Sequence, residues 1–167
     1  MQGTLPKKIA EAIDDFGISY EILPCDPEFA DTSDFCAKYG FPITHCGNTI
    51  VVASKREPVQ YATCTVQGSD RLDVNKTVRK LMGVSRLSFA SKEQTAGLTG
   101  MVIGGVTPFA LPDTVPVYFD QKLIDLDYII LGSGDRLSKI MTSPTILSHI
   151  PNSIMVAGLS VSKIQEI

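Results

Sequence analysis

The chain contains no tryptophan, and only five tyrosines and seven phenylalanines among its 167 residues. So few rings give no expectation of an extended base-stacking platform. It has two histidines, His45 and His149, too far apart in sequence to form a metal pair, and its four cysteines, Cys25, Cys36, Cys46 and Cys64, form no C-x-x-C motif. A zinc site is therefore not expected, and no motif calls for a metal or any other cofactor. Free thiols are the reading that fits a reducing compartment. No stretch approaches the roughly 18 apolar residues of a membrane span, and no continuous apolar leader follows Met1. The expectation is a cytoplasmic protein with no membrane partner. Basic residues are not in excess: 15 Lys and Arg against 18 Asp and Glu, a formal net charge of −3. That argues against a broad duplex-binding surface and against duplex DNA as a partner, because neutralising many phosphates needs many cations. Gripping a short single-stranded end is compatible with it.

What is present is ordinary for a globular chain: 44% hydrophobic and 20% charged residues. A length of 167 residues predicts one domain, 1–167, burying about 70% of its unfolded surface. Leu5, Ile9, Ala12, Ile13 and Phe16 recur at helical spacing, with Thr4 as N-cap and Gly17 as stop. Tyr20 to Leu23 reads as a strand. Thr32 or Ser33 caps a second helix ending near Gly40. Asn48 to Ser54 is an apolar, β-branched run, expected to be a strand buried on both faces, and Val59 to Val66 returns beside it. Asp73 caps a helix that turns Val74, Val78 and Leu81 inward and ends at Gly83. Arg86 to Phe89 is a short strand. Ser91 to Gln94 forms a capping box for a helix ending near Leu98. Val115 to Phe119 and Tyr128 to Leu131 are strands, Ser143-Pro144 starts a late helix, and Ile154 to Val156 is a last strand. Strands interspersed with helices in this way predict an α+β fold.

The most informative stretch runs from Leu98 to Pro112. Met101 to Ile103 is apolar, Gly104-Gly105 follows, then Val106-Thr107-Pro108 and a second proline at Pro112. Glycines permit close approach of a ligand or of another backbone, and Pro108 bars a helix and pushes Thr107 toward extended geometry. The expectation is a rigid, irregular loop leaving a strand, with the Thr107 hydroxyl and the Gly104–Val106 amides available for binding. A structural bulge is the competing reading.

This stretch resembles the loop of the YbaK/prolyl-tRNA-synthetase-associated family of trans-editing domains. Thr99-Gly100 and Gly104-Gly105-Val106-Thr107-Pro108-Phe109 match it, and Ala110 stands where the family usually has glycine. Asn48 to Ala53 is similar to the family's strand, Leu72-Asp73-Val74-Asn75-Lys76 to its helix start, Asp120 follows a strand as in the family, and Gly132-Ser133-Gly134-Asp135-Arg136 resembles its late turn. The resemblance covers roughly residues 30 to 160. It implies a strongly curved mixed sheet surrounded by helices, and hydrolysis of the ester joining a wrong amino acid to its tRNA. The implied partner is the 3′ end of a mischarged tRNA.

The physical need for such an activity is plain. A synthetase pocket rejects a smaller apolar side chain by only about 10–200-fold per methylene, so a second sieve removes errors. The ester is labile, and a vicinal ribose hydroxyl or the substrate's own thiol can assist attack. The protein then supplies positioning and an oxyanion site. On this reading Gly104, Gly105 and Val106 contact the aminoacyl group through their backbone. Thr107 sets pocket polarity, and Asn48 and Lys55 orient the amine or the terminal adenosine. Thr99, Gly100, Pro108, Gly134 and Arg136 complete the substrate-binding set. Lys76, on a helix with Arg79 and Lys80, faces RNA phosphates or solvent. His45-Cys46 is not expected to be a thiol–imidazole pair, since neighbours on a strand point to opposite faces. Asn48 departs from the resemblance, which implies an activity-bearing lysine there. An amide carries no charge. Three readings stay open: Lys55 or Lys76 supplies the charge, Asn48 suits a different amino acid, or hydrolysis is lost. The alternative function is then a non-catalytic module that binds an aminoacyl- or nucleotide-like ligand or a protein partner.

Overall fold

The computed structural model describes residues 4–163. In chain order the elements are α1 (Lys7–Asp14), β1 (Tyr20–Pro24), α2 (Thr32–Tyr39), β2 (Gly47–Ser54), β3 (Tyr61–Gln67), β4 (Asp70–Leu72), α3 (Arg79–Met82), β5 (Leu87–Phe89), α4 (Lys92–Thr99), β6 (Val117–Asp120), β7 (Ile129–Gly132), β8 (Ser138–Thr142), β9 (Ser153–Val156) and β10 (Ser160–Ser162). Five strands form a mixed sheet in the order β5-β2-β3-β6-β9, antiparallel from β5 to β3 and parallel from β3 to β9. Three more form an antiparallel sheet, β1-β8-β7, and β10 pairs with β4. This is the α+β class that the alternation of elements predicts, with the mixed sheet that the resemblance implies.

Local chemistry explains most boundaries and corrects several expectations. The N-cap of α1 is Pro6, whose carbonyl receives the Ile9 and Ala10 amides, so Thr4 lies outside the helix. Asp31, not Thr32 or Ser33, precedes α2, and its carboxylate makes no cap bond because Arg136 holds it. Asp73 does cap its helix, but the first turn, Val74–Val78, is a wider π turn, and Leu81 is 42% exposed while Met82 packs inward. Ser91 and Gln94 form the expected capping box of α4. The segment after Ser143-Pro144 is a 3₁₀ turn, Pro144–His149, not a full helix. Met101 to Ile103 forms no strand, so the glycine loop leaves the C-terminus of α4, through Gly100 in the left-handed region, and not a strand.

The main core lies between α1, the glycine loop and strands β6 to β8, with Ile9, Ile13, Phe109, Phe119, Leu131 and Ile140 fully or almost fully buried. A second core joins Val52 of β2 and Cys64 and Val66 of β3 to Leu72, Val74 and Val78. The two sheets approach closely where β2 meets β7. A Cβ on Gly47 would stand 2.6 Å from Leu131 Cδ2, and Cys46 bridges Ile130 in parallel.

The glycine loop packs on the turn after β7 backbone to backbone. Gly134 N–H donates to Gly105 O at 2.6 Å. A Cβ on Gly105 would lie 2.3 Å from Asp135 O, and one on Gly132 would lie 2.4 Å from Val106 O. Neither obstacle is a flexible side chain. Gly105→Ala is expected to destabilise the protein by about 1–3 kcal/mol through overpacking. Gly97→Ala, in the middle of α4 with nothing within 4 Å of the added carbon, is expected to stabilise it by about 0.5–1 kcal/mol. Urea unfolding of the two variants checks both signs.

Candidate functional site

The site forms because β2 is longer than its neighbour. β5 pairs only with Val52, Ala53 and Ser54, which leaves the first half of β2 without a strand on that side. The Val51 carbonyl and the Lys55 amide point toward the β5 side, bonding Ala90 N and Arg86 O, and the Ser54 amide points the other way. By the alternation of a strand, the backbone of Thr49 also faces the β5 side, where no strand covers it. A cavity of about 440 Å³ opens along this edge, within the range of small-molecule sites. One wall is β2 from Gly47 to Val51. The others are the start of α2 (Asp31 to Ser33), the glycine loop (Ile103, Gly104, Val106), Gly132, Lys139, and the Phe89–Ala90 corner.

Asn48 is on the cavity wall, half-buried, and its side chain has no hydrogen-bond partner among the described residues. Gly104 and Val106 line the opposite wall. Their amides bond no backbone acceptor among the described residues, whereas the Gly105 amide is taken by Val102 O. Of the three amides expected to be free, Gly105 is therefore excluded. Thr107 is fully buried, does not reach this cavity, and its hydroxyl has no partner among the described residues. Pro108 faces a separate apolar cavity on the α1 side, with Phe16 and Ile150. Thr99 and Gly100 terminate α4: Thr99 Oγ1 donates to Thr95 O and accepts the Met101 amide. Gly134 belongs to the turn packed on the loop. Arg136 is engaged by protein, its Nη1 donating to Asp31 Oδ1 and Ile103 O and its Nε to Pro27 O, each at 2.9 Å. Lys55 follows the far end of β2, seven residues or about 23 Å from Asn48 along the strand. Lys76 is exposed and outside this cavity.

The residue that sequence reasoning missed is Lys139. It is 6% exposed, on β8, and lines the cavity. Its Nζ donates to Ala30 O at 2.5 Å and to Gly104 O at 2.8 Å, and stands 5.7 Å from the centre of the Phe35 ring. Burial lowers its pKa from the usual lysine value, opposed by the nearby Cys25 and Cys46. Lysines are seldom buried unpaired, so a single Lys in the run Ser138–Thr142 reads as solvent-facing. Lys163, exposed at the rim, is a second cation at the cavity, and its Nζ donates to Gly68 O at 3.4 Å. The four cysteines are free and buried. Burial, then the Cys36 contact at 3.1 Å, raises the Cys46 thiol, which keeps it protonated and a poor nucleophile. His45 instead pairs with Asp127 on the surface at 2.9 Å. No group of three metal-binding side chains occurs among the described residues, and none of their helices is long and apolar enough to cross a membrane.

The sequence profile of the aminoacyl-tRNA editing domain family matches residues 26–147, which span β2, the glycine loop and Lys139. The chain belongs to this family. Its fold is similar to that of three solved structures. Hypothetical protein APE2540 shares 23% identity over 92% of this chain and 99% of that one, with a TM-score of 0.81. A candidate trans-editing enzyme for prolyl tRNA synthetase shares 21% identity over 90% of this chain and 94% of the other, with a TM-score of 0.75. A signal transduction protein from Marinobacter aquaeolei VT8 shares 14% identity and a TM-score of 0.64, and this chain spans 31% of its length.

Lys139 links the site to pH. Its native pKa lies below the unfolded value of 10.5, so burial weighs against the native state wherever the group is charged. As pH rises through the lowered native value, the native state releases its proton first and this contribution to stability grows; it is fully present above 10.5 and lost again as pH falls. Lys139→Met removes the group. Wild type is therefore expected to gain stability relative to the variant as pH rises from the lowered native value to 10.5, as read by urea unfolding at several pH values. A constant difference across that range would refute the assignment.

Proposed function

We propose that this chain is an aminoacyl-tRNA deacylase that hydrolyses the ester of a mischarged tRNA in the cavity beside β2, acting in the cytoplasm as a single editing domain over 1–167. The observation that carries this reading is the pairing of two walls. On one, Asn48 offers an unpartnered amide side chain next to the uncovered backbone of Thr49. On the other, Gly104 and Val106 offer backbone amides not bonded within the backbone. Ester hydrolysis needs a carbonyl held still, donors where negative charge develops on its oxygen, and a water able to attack. In this reading the Gly104 and Val106 amides receive the oxyanion. The Thr49 carbonyl and the Asn48 side-chain oxygen receive the substrate's ammonium. Water adds to the ester carbon, the bond to the ribose oxygen breaks, and the vicinal ribose hydroxyl assists the proton transfer. No protein nucleophile is required, which accords with four buried thiols and with the raised pKa of Cys46.

The positive charge implied at the strand start comes, in this reading, from the opposite wall. Lys139 lies in the same cavity, whereas Lys55 and Lys76 do not. Its ammonium is tied to two carbonyls, so it acts on the substrate through the position of Gly104 and through its field. The second reading, a module that binds without hydrolysis, is favoured by one feature alone, the neutral Asn48.

A panel of mischarged tRNAs decides between them. Wild type is expected to deacylate at least one member. Asn48→Ala is expected to lower kcat/KM on that substrate by about tenfold or more, the size of a lost charge-assisted hydrogen bond. Asn48→Lys is expected to change the preferred amino acid and not to abolish binding. If wild type is inactive on the whole panel and Asn48→Lys creates activity, the binding module is the better account. In the same assay Cys46→Ala is expected to stay within several-fold of wild type, where loss of a nucleophile would cost orders of magnitude.

A further inference from the structure

The cavity beside the glycine loop continues past Asn48. A second cavity, of about 400 Å³, lies across a divide formed by Asn48, Ile50, Phe89 and Lys163, which line both. Its far side is Asp70 to Asn75, with Val161 of β10. Each cavity alone has the volume of a whole small-ligand site, and an amino acid is far smaller than either.

Phe89 stands at the divide. In the β5–β2 register it lies opposite Val52, which is fully buried, yet Phe89 is 60% exposed. No aromatic ring or cation packs on its ring among the described residues. A lone exposed phenylalanine means little by itself; its place between two ligand-sized cavities is what gives it meaning. Lys163 brings a cation to the second cavity, Lys76 adjoins it after Asn75, and Arg71, which lines it, is already engaged. Its two acids are engaged within the protein. Asp70 Oδ2 accepts from Lys122 Nζ and Ser160 Oγ, each at 3.0 Å. Asp73 accepts from Thr77 Oγ1 at 2.8 Å and from the Lys76 amide at 3.4 Å.

An open aromatic face flanked by cations, in a groove that adjoins the reaction cavity, fits single-stranded nucleic acid. We infer that the second cavity holds the nucleotides preceding the terminal adenosine of the tRNA acceptor end, one base stacked on Phe89 and the phosphates facing Lys163 and Lys76. This rests on the reading that the first cavity takes the aminoacyl ester. It also fits a net charge of −3, since a few unpaired nucleotides need only a few cations.

The absence of tryptophan supplies the test. Phe89→Trp introduces a single fluorophore at the divide, and Ile154→Trp introduces one on the opposite edge strand, β9. Titration with the uncharged trinucleotide CCA is expected to quench the first saturably and leave the second unchanged. Phe89→Ala is expected to raise KM for the preferred mischarged tRNA by about 5- to 150-fold, the range of one lost base stack, with kcat within several-fold. If wild type hydrolyses the ester but the Phe89→Trp protein is not quenched and Phe89→Ala keeps its KM, the inference fails and the proposed function stands. If CCA quenches but no mischarged tRNA is hydrolysed, the groove stands and the proposed function fails. Equal quenching by AMP and by CCA would put the terminal adenosine itself on Phe89 and overturn the assignment of the preceding nucleotides.

Discussion

The site depends on one buried cation. Lys139 brings a charge into the protein interior and makes no ion pair among the described residues, with the Asp31 carboxylate acting on it only from a distance; it is held by two carbonyl dipoles, Ala30 O and Gly104 O. Removing an ammonium from water is costly unless every remaining interaction favours it, so this position is tolerated only if those carbonyls are where they are. The carbonyls belong to segments more than seventy residues apart in sequence, the entry to α2 and the glycine loop, and these are two walls of the same cavity. Arg136, three residues earlier, joins the same two segments through Pro27, Asp31 and Ile103. One strand and its preceding turn thus fix the width of the cavity with two cations.

The glycines of the loop are explained by this same closure. Gly104 sits against the Arg136 guanidinium, where an added Cβ would overlap Nη1, and Gly105 sits against the Asp135 backbone. The loop is bare because the clamp presses on it from behind. Binding and packing are therefore not competing explanations for the glycine pair. The pair satisfies a packing constraint, and the loop that follows from it leaves Gly104 and Val106 lining the cavity with amides not bonded within the described backbone.

This distinction decides what could be read from the sequence. Signals that act locally were legible. They include the capping box at Ser91, the Asp73 cap, the stops at Gly40 and Gly83, the apolar run of β2, and the α+β class. Features created by tertiary contact were not. β4 and β10 are three residues each and exist only because they pair with one another. β8 carries a lysine at its centre, which looks polar until its two carbonyl partners come from elsewhere in the chain. Asp31 lost its cap role to Arg136, a partner 105 residues away. Thr107 looked available because it neighbours the glycines, yet it is fully buried away from the cavity. No residue of β2 is exposed, as expected of a strand buried on both faces; what was not legible is the stretch of edge that the shorter β5 leaves unpaired. Sequence gives the length of a strand but not the length of its neighbour.

That mismatch of lengths also bears on Asn48. A lysine at the start of β2 would add a third cation to a cavity that already holds Lys139 and Lys163, with Arg136 behind the loop. Like charges in a partly buried site repel, and each addition raises the cost of keeping the others ionised. A neutral amide avoids that cost and can both donate and accept. In a site whose charge is supplied from β8, a hydrogen-bonding group at the strand start that does not titrate is thus consistent with an intact cavity. The substitution and the buried lysine are then two halves of one electrostatic arrangement, and neither residue is interpretable without the other.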